Sequence, residues 1–368
     1  MLYVTCTSDI HSFSGVKKKV FAQARVFSKR VSKCYCVDHY YGMAYFWSNG
    51  EIIEKCNAIS QKDYYNICLE WINNHCDTEV YIRYGSPATL WLIEFLKILY
   101  KRKIKIVIEF PTYPYEQQFS SWRRDNILFE DRLFRGQMKQ YIDYGVTYDP
   151  ETMIFGIPVI ELQNGIDSNE HLVKKVRKKD NEIVLIAVAS MIMVHGYERI
   201  IKGMKEYYQK CGDYKIYFRL VGDDSTQECE YYKRLVNEYS LGEYITFYGE
   251  VIGGQLDQLY DSSDIGIGPL GLYKINNIGG GPIKTREYCI RGLPFIYGYE
   301  ENGFNGNEEY VLKVSNDDSP IDMNEVIKLY ERTCGRQDII DTMRNYAENN
   351  CSWSRLLEPV CSYFNRDK

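Results

Sequence analysis

Apolar, strand-like runs alternate along the chain with segments of helical periodicity. In the first half these runs are MLYVTCTS, CYCVDHYY, EVYIRYG, IKIVIEF and PVIELQNG; in the second half they are EIVLIAVAS, KIYFRLVGD, YITFYGEV, IGIGPL and LPFIYGYE. Helical segments such as ATLWLIEFLKILYKRK and YERIIKGMKEYYQK lie between them. This alternation predicts parallel sheets covered by helices on both faces, and two such series in tandem predict two doubly wound α/β domains.

A polar, charged connector between Asn164 and Glu182 separates the two series. The 368 residues are too many for one ordinary core and suit two domains, which we predict at 1–166 and 167–350. In open α/β sheets, ligands bind beyond the carboxyl ends of the strands. We therefore expect the working site on strand-to-helix loops in a cleft between the domains.

Cysteine usage indicates a reducing compartment. The chain has 12 cysteines but no CxxC pair, and it starts MLYVTCTSDI, without a basic segment or a long apolar run. A reduced, cytoplasmic protein without a signal peptide is the prediction. No uninterrupted apolar stretch approaches the ~20 residues that cross a bilayer.

Charge is unevenly distributed, with a net +2 over residues 1–165 and −7 over the remainder. These basic side chains are either solvated helix faces or a surface that meets anionic membrane or a phosphate-bearing lipid. The acidic overall charge disfavours nucleic acid as a partner. The basic residues cluster at 17–19, 29–33, 97–105 and 123–139.

The segment NNIGGGPIKTREYCIRGLPFIYG, residues 276–298, carries the clearest functional signal. Pro282 suits the first turn of a helix and Gly292 the position just past its end, so we predict a helix from Pro282 to Ile290 or Arg291. A strand, LPFIYG, follows.

Free N–H groups of Ile283, Lys284 and Thr285 at this helix start would form an anion site, strengthened by the Lys284 charge. Glu287, one turn further, could accept hydrogen bonds from two vicinal hydroxyls. The combination suits a diphosphate joined to a ribose. The alternative is a flexible surface loop, an ordinary helix and a solvated Glu287.

The segment resembles the donor-binding region of retaining glycosyltransferases of family 4, which have the GT-B fold of two facing Rossmann-like domains. Glu287 with RGLPFIYG matches the second glutamate of the family motif, and it implies contact with the ribose of a sugar nucleotide. The resemblance extends through EIVLIAVASMIMVHGYERIIKGM, FRLVGDDS, YITFYGEVIGGQLDQLYDSSDIGIGPL and IPVIELQNGID. CSWSRLLEPVCSYF, within 351–368, resembles the terminal helix that crosses back onto the first domain.

The resemblance also supplies donor-binding candidates. Gly15, in SDIHSFSGVKKKV, matches a glycine that approaches the donor phosphates, and Gly222 lies in the glycine turn of FRLVGDDS. Gly280 and Gly281 lack a Cβ atom, so a bulky anion could approach their backbone.

Two departures from the family pattern change the expected charges. Gly279 stands where the first motif glutamate is expected, and Ser190 and His195 stand at the basic pair. We therefore expect Lys284 to meet the diphosphate charge. Arg199, one helical turn after His195, is expected to help; the alternative is a solvated helix residue.

In the first domain, Arg83 and Glu109 end two predicted strands, so both are candidates for binding acceptor hydroxyls or an acceptor phosphate. The alternative is that they pair with each other. His11 lies in a predicted cleft loop and is a third acceptor-binding candidate. The predicted catalytic residues are Lys284, His195 and Glu109.

The resulting hypothesis is a retaining glycosyltransferase that moves a sugar from a nucleoside diphosphate to a glycan or lipid-linked acceptor in surface-polysaccharide synthesis. No Asp-x-Asp motif occupies a predicted donor loop, so no metal or other cofactor is expected. Peripheral contact at the inner face of the membrane is a further expectation. The alternatives are an inactive GT-B scaffold, an inverting transferase and an epimerase. The absence of GxGxxG after the first strand of either half disfavours a nicotinamide dehydrogenase.

Overall fold

This computed structural model describes residues 1–5, 10–11, 15–75, 77–85, 87–116, 121–178, 180–210, 212–275, 279–280 and 282–366. For 15, 121–127 and 279–280 it describes the backbone alone. The chain divides into two compact units, 1–163 with 353–368 and 164–352. The boundaries predicted from the sequence lie within three residues of these.

Unit 1 contains a nine-stranded sheet with the order β4-β3-β2-β1-β5-β6-β7-β9-β8. The pairs that join β2, β1, β5, β6, β7 and β9 are parallel, which agrees with the predicted parallel sheet, although β7 was not among the predicted strands. The strands are β1 (Leu2–Thr5), β2 (Tyr35–Tyr40), β3 (Met43–Ser48), β4 (Glu51–Asn57), β5 (Glu79–Arg83), β6 (Lys105–Phe110), β7 (Tyr144–Thr147), β8 (Met153–Ile154) and β9 (Ile157–Glu161).

Two antiparallel strands, β3 and β4, extend this sheet and were not predicted. Tight turns make them possible: Tyr41 and Gly42 have φ of 46° and 72°, and Asn49 and Gly50 have φ of 52° and 88°. Positive φ at both central residues is typical of a two-residue hairpin, and Asn-Gly is its strongest sequence signal. The pair at 49–50 could therefore have revealed the second hairpin.

Helices cover both faces of the unit 1 sheet. Side chains alternate along β5, so that Val80 and Ile82 join one apolar cluster and Tyr81 joins another on the opposite face. The helices between these strands are α1 (Gly15–Arg30), α2 (Gln61–His75), α3 (Leu90–Lys101) and α4 (Ser121–Phe134).

Unit 2 contains a six-stranded sheet with the order β12-β11-β10-β13-β15-β17, whose pairs are all parallel. A separate two-stranded pair joins β14 to β16. The strands are β10 (Glu182–Val188), β11 (Lys215–Val221), β12 (Ile245–Phe247), β13 (Ile265–Ile267), β14 (Gly279–Gly280), β15 (Phe295–Tyr297), β16 (Glu300–Glu301) and β17 (Val311–Lys313). The helices are α5 (Glu198–Tyr208), α6 (Gln227–Glu238), α7 (Gly253–Asp261), α8 (Ile283–Arg291), α9 (Met323–Thr333) and α10 (Gln337–Tyr346).

The chain ends with α11 (Trp353–Leu356) and α12 (Glu358–Asn365), which belong to unit 1. Phe364 packs edge-on against Phe27 of α1, with ring centroids 6.2 Å apart. Full burial of such a side chain contributes roughly 2 kcal/mol to folding. The prediction of two α/β domains, with the last helix returned to the first of them, agrees with this arrangement. Among the described residues, no helix is both long and apolar enough to cross a membrane.

Candidate functional site

The carboxyl ends of β10 and β11 lie in backbone contact. Gly222 follows β11 with φ of 138°, and a Cβ atom there would lie 2.0 Å from the Ala189 carbonyl oxygen. A side chain would therefore push apart the two loops that follow these strands. Ser190, in the loop after β10, is exposed. Gly222 thus shapes this edge of the sheet, and its predicted contact with the donor stays a prediction.

A second close approach joins the loops after β10 and β13, and it was not predicted. Gly196 has φ of 60°, and a Cβ atom there would lie 2.7 Å from the Gly271 backbone nitrogen. Next to it, the Leu270 N–H donates to the His195 carbonyl oxygen at 2.9 Å. These contacts fix His195 at the carboxyl edge of the sheet.

Helix α8 begins one residue later than predicted. Pro282 is the N-cap residue, with φ of −56° and ψ of 139°, and Ile283 is the first helical residue. Gly292 ends the helix with φ of 75°, as predicted. A proline N-cap has no side-chain acceptor for the first-turn N–H groups, so these groups remain suited to an anion. Ile283, the first helical residue, is 36% exposed.

Lys284 reaches from the first turn of α8 to the end of β10, where its Nζ donates to the Val188 carbonyl oxygen at 2.7 Å. Burial lowers the pKa of Lys284, and the Glu287 carboxylate opposes this effect. An ammonium group has three N–H donors, so one bond to a carbonyl leaves it able to bind a phosphate oxygen as well.

His195 is a buried, neutral imidazole next to this cation. Burial and then the Lys284 charge lower its pKa from 6.5 to about 3. Its ring stacks on Tyr197 with centroids 5.4 Å apart, and in the described part of the chain its buried Nδ1 has no hydrogen-bond partner. At pH 7 it can therefore exchange hydrogen bonds with a ligand but supplies no positive charge.

Glu287 is not simply solvated, contrary to the alternative considered from the sequence. Its side chain is 22% exposed; its Oε1 lies 3.4 Å from the Arg291 Nε and 3.7 Å from the His171 Nδ1. These neighbours restrict the carboxylate while leaving part of it accessible. Its predicted contact with a ribose stays a prediction.

An ion pair behind the helix start was missed by sequence reasoning. The Thr285 Oγ1 donates to the Glu301 Oε2 at 2.9 Å, and the Arg286 Nη1 lies 3.0 Å from the Glu301 Oε1. The side chains of Arg286 and Glu301 are completely buried. Gly280, a donor-binding candidate, pairs with Glu301 in the β14–β16 ladder.

For two further donor-binding candidates, the structure describes either the backbone alone or no atoms. Gly281 lies outside the described residues, and Gly15 begins α1, where the backbone alone is described. Their proposed roles therefore stay predictions.

The donor-binding role of Arg199 is corrected to a structural one. Its guanidinium is completely buried and donates to the backbone carbonyl oxygens of Ser319 at 2.7 Å, Leu270 at 2.9 Å and Ser315 at 2.9 Å. These bonds tie α5 to the segment after β17 and to the loop after β13. A side chain engaged in this way is neither solvated nor available to a diphosphate.

Arg83 and Glu109 pair with each other, which was the alternative to acceptor binding. Glu109 is completely buried; it accepts from Tyr81 Oη at 2.7 Å and Gln23 Nε2 at 3.0 Å, and Lys19 Nζ lies 3.4 Å away. Burial opposes ionisation, but the charges of Lys19 and Arg83 outweigh it and lower the Glu109 pKa to about 2. Neither the catalytic nor the acceptor-binding role of Glu109 fits these contacts, and Arg83 serves the same internal network.

His11 is held by a carboxylate in an aromatic environment. Its Nδ1 lies 2.8 Å from the Asp38 Oδ2, and its ring stacks on Tyr40 with centroids 4.5 Å apart. Trp47 Nε1 donates to the other Asp38 oxygen at 2.8 Å. Burial raises the Asp38 pKa, and the hydrogen bonds from Trp47 and His11 oppose this. The acceptor-binding role of His11 stays a prediction.

Comparison with known protein families identifies the domain to which the α8 site belongs. Residues 168–332 match the family model described as glycosyl transferases group 1. The matched span lies within unit 2 and includes the donor-binding candidates apart from Gly15. The chain therefore carries a glycosyltransferase domain, and the enzyme class predicted from the sequence is confirmed. No curated protein sequence matches the chain.

Solved structures resemble the whole chain. A glycosyltransferase from Rickettsia africae ESF-5 has a TM-score of 0.64 at 13% identity, with 100% of this chain and 99% of that chain covered. HepE of Anabaena, solved with UDP and glucose, has a TM-score of 0.59 at 11% identity, with 99% of each chain covered. WaaG, a glycosyltransferase involved in lipopolysaccharide biosynthesis, has a TM-score of 0.57 at 12% identity, with 100% of each chain covered. These likenesses show the fold, which is the predicted GT-B.

Proposed function

We propose that the protein is a retaining glycosyltransferase that moves a sugar from a nucleoside diphosphate to a hydroxyl group of a glycan or lipid-linked acceptor. The observation that carries the proposal is the start of α8, where the proline N-cap supplies no side-chain acceptor to the first-turn N–H groups and Lys284 bonds to the end of β10. We further propose membership of glycosyltransferase family 4, a cytoplasmic location and a role in surface-polysaccharide synthesis. Metal independence belongs to the same proposal.

The reaction explains why an anion site of this kind is useful. As the bond between sugar and diphosphate breaks, negative charge accumulates on the leaving phosphate oxygens. First-turn N–H groups and the Lys284 ammonium stabilise that charge more strongly than they stabilise the intact donor, which is the condition for acceleration. Glu287 is proposed to bind the ribose hydroxyls. The neutral His195 is proposed to accept a hydrogen bond from, or donate one to, the transferred sugar or the diphosphate.

The neighbours support the substrate class. HepE was solved with UDP and glucose, and WaaG acts in lipopolysaccharide biosynthesis. Both have this fold, and a nucleoside diphosphate with a sugar is the ligand that the α8 site of this chain suits chemically.

Donor binding is tested by thermal stabilisation with UDP, GDP, ADP and their common sugar derivatives. We expect at least one to raise the Tm, because a ligand that binds the folded state stabilises it in proportion to its affinity. Glu287→Gln is expected to weaken binding about 10- to 100-fold, since a hydrogen bond to a charged group contributes about 1.5–3 kcal/mol. Glu325→Gln on α9, which removes an exposed carboxylate paired with Lys328, is the control and should bind normally.

Two results would count against the proposal. If no nucleotide in the panel raises the Tm, the alternative of an inactive scaffold protein would be favoured. If the enzyme is active, proton NMR of the first product should show a retained anomeric configuration, and inversion would favour the inverting alternative.

Membrane contact is proposed for α4 of unit 1. Phe129 and Leu133, one helical turn apart, are 67% and 55% exposed, and Arg132 beside them is 60% exposed. Part of the basic surface considered from the sequence is used internally, since Lys19 and Arg135 bond to buried carboxylates. The exposed apolar pair with an adjacent cation is the combination that lies in an anionic interface.

Vesicle flotation tests this contact. At low salt we expect the protein to float with vesicles containing phosphatidylglycerol, and Phe129→Glu to reduce the bound fraction several-fold, because it places a charge where an apolar ring would enter the interface. Ile59→Glu, at a residue that is 87% exposed elsewhere in unit 1, is the control. Equal binding of the two variants would contradict the proposed surface.

A further inference from the structure

Glu301 is a completely buried carboxylate close to the donor site. It ends β16 and is the register partner of Gly280 in β14, so the strand that carries it runs beside the glycine segment, Gly279–Gly280. Its side chain has no solvent exposure, and therefore it does not touch a donor itself. Its contacts instead point to the first turn of α8.

The Glu301 carboxylate collects donors from both sides. Oε2 accepts from the Thr285 Oγ1 at 2.9 Å and from the Tyr299 hydroxyl group, while Oε1 lies 3.0 Å from the Arg286 Nη1. The Gly303 N–H donates to Oε1 at 3.2 Å. Two consecutive residues of the first turns of α8, Thr285 and Arg286, are thus held by one carboxylate from another strand.

Arg286 carries this restraint to the N-cap of the helix. Its Nη1 also donates to the Pro282 carbonyl oxygen at 3.1 Å. A carboxylate–guanidinium pair in a buried site has a defined geometry, because each charge requires the other. The chain Glu301–Arg286–Pro282 therefore fixes the peptide units whose N–H groups open the helix.

We propose that Glu301 is a positioning residue of the donor site, which holds the first turn of α8 so that its N–H groups and Lys284 face the diphosphate. The inference rests on the proposed function, in which this helix start binds the donor. It also gives the site a carboxylate anchor on the strand beside the glycine segment, where Gly279 replaces the loop glutamate of the family pattern.

The test compares Glu301→Gln with a matched ion pair elsewhere in unit 2, at the amino ends of β10 and β13 in the six-stranded sheet. There, Asp264 Oδ2 lies 3.0 Å from Arg177 Nη1 and accepts from the Val184 N–H at 2.9 Å. Both Glu301→Gln and Asp264→Asn remove one buried charge and keep the shape. We expect both to lower the Tm, but only Glu301→Gln to weaken UDP or GDP binding, by 10-fold or more in titration calorimetry.

A double variant separates positioning from stability. In Glu301→Gln with Arg286→Met no buried charge is left uncompensated, so the Tm should recover, since removing both partners is far milder than removing one. We expect nucleotide affinity to stay low. Thr285→Val, which removes only the hydroxyl group, is the milder variant should Glu301→Gln fail to fold, and we expect it to weaken affinity about threefold or more, as loss of one hydrogen bond does.

The outcomes are distinguishable. Normal nucleotide affinity in a folded Glu301→Gln or in the double variant would overturn the positioning role and leave the proposed function intact. Equal weakening of nucleotide binding by Asp264→Asn would also overturn the positioning role, because the loss of affinity would then follow from the lower stability alone. If the wild-type protein binds no nucleoside diphosphate, the proposed function itself fails.

Discussion

Replacing Lys284 with methionine is expected to lower kcat/KM for sugar transfer by about 100-fold or more. Removal of one well-placed donor to a developing negative charge reduces kcat by about 10²–10³ in other enzymes. Lys284 fits this role because its 2.7 Å bond to the Val188 carbonyl oxygen fixes the ammonium at the carboxyl edge of the sheet, in the first turn of α8. Methionine keeps much of the apolar stem and removes the charge.

The effect should fall on kcat rather than on KM, because the diphosphate gains charge only as the bond to the sugar breaks. Lys205→Met is the control: Lys205 is a half-buried lysine of the same unit, with its Nζ 4.3 Å from the centre of the Tyr239 ring, in the last turn of α5. It should change kcat/KM less than twofold. An increase in KM alone for Lys284→Met would contradict transition-state stabilisation and leave only a binding role.

Local patterns predicted the parts of the site that depend on neighbouring residues. A proline followed ten residues later by a glycine was enough to locate α8 to within one residue. Strand-length apolar runs predicted most strands of both parallel sheets, but they did not predict the parallel strands β7 and β17. The hairpin strands β3 and β4 were not predicted, although Asn49-Gly50 carried the signal for the turn between them.

Pairings between distant residues could not be predicted in this way. Glu109 lies at the carboxyl end of β6, where a ligand-binding residue is expected, yet Lys19 and Arg83 converge on it from α1 and β5. Arg199 follows His195 by one helical turn, yet its partners are carbonyl groups more than 70 residues away. Whether a charged side chain at a strand end faces a ligand or a buried partner depends on the three-dimensional packing, and the sequence does not contain that information in local form.

Glu109 is the site of the second large expected effect, on stability. Glu109→Gln is expected to destabilise unit 1 by about 3–5 kcal/mol, the usual range when one partner of a buried ion pair is removed. The reason is that two cations, Lys19 and Arg83, would lose the carboxylate that compensates them. Burial already lowers the Lys19 pKa to about 8, so this lysine could lose its proton and relieve part of the penalty.

Tryptophan fluorescence can follow this unfolding selectively, because all five tryptophans of the chain lie in the two segments of unit 1. Glu130→Gln, at an exposed position of α4, is the control and should leave the transition unchanged.

The loss of stability in Glu109→Gln should also depend on pH with a defined sign. With a folded pKa of about 2, against 4.5 ordinarily, Glu109 contributes its full stabilisation above pH 4.5 and loses it as the pH falls through 2. The difference between wild type and Glu109→Gln should therefore be largest near pH 7 and narrow below pH 4.5, whereas a constant difference would show that the carboxylate charge is not what stabilises unit 1.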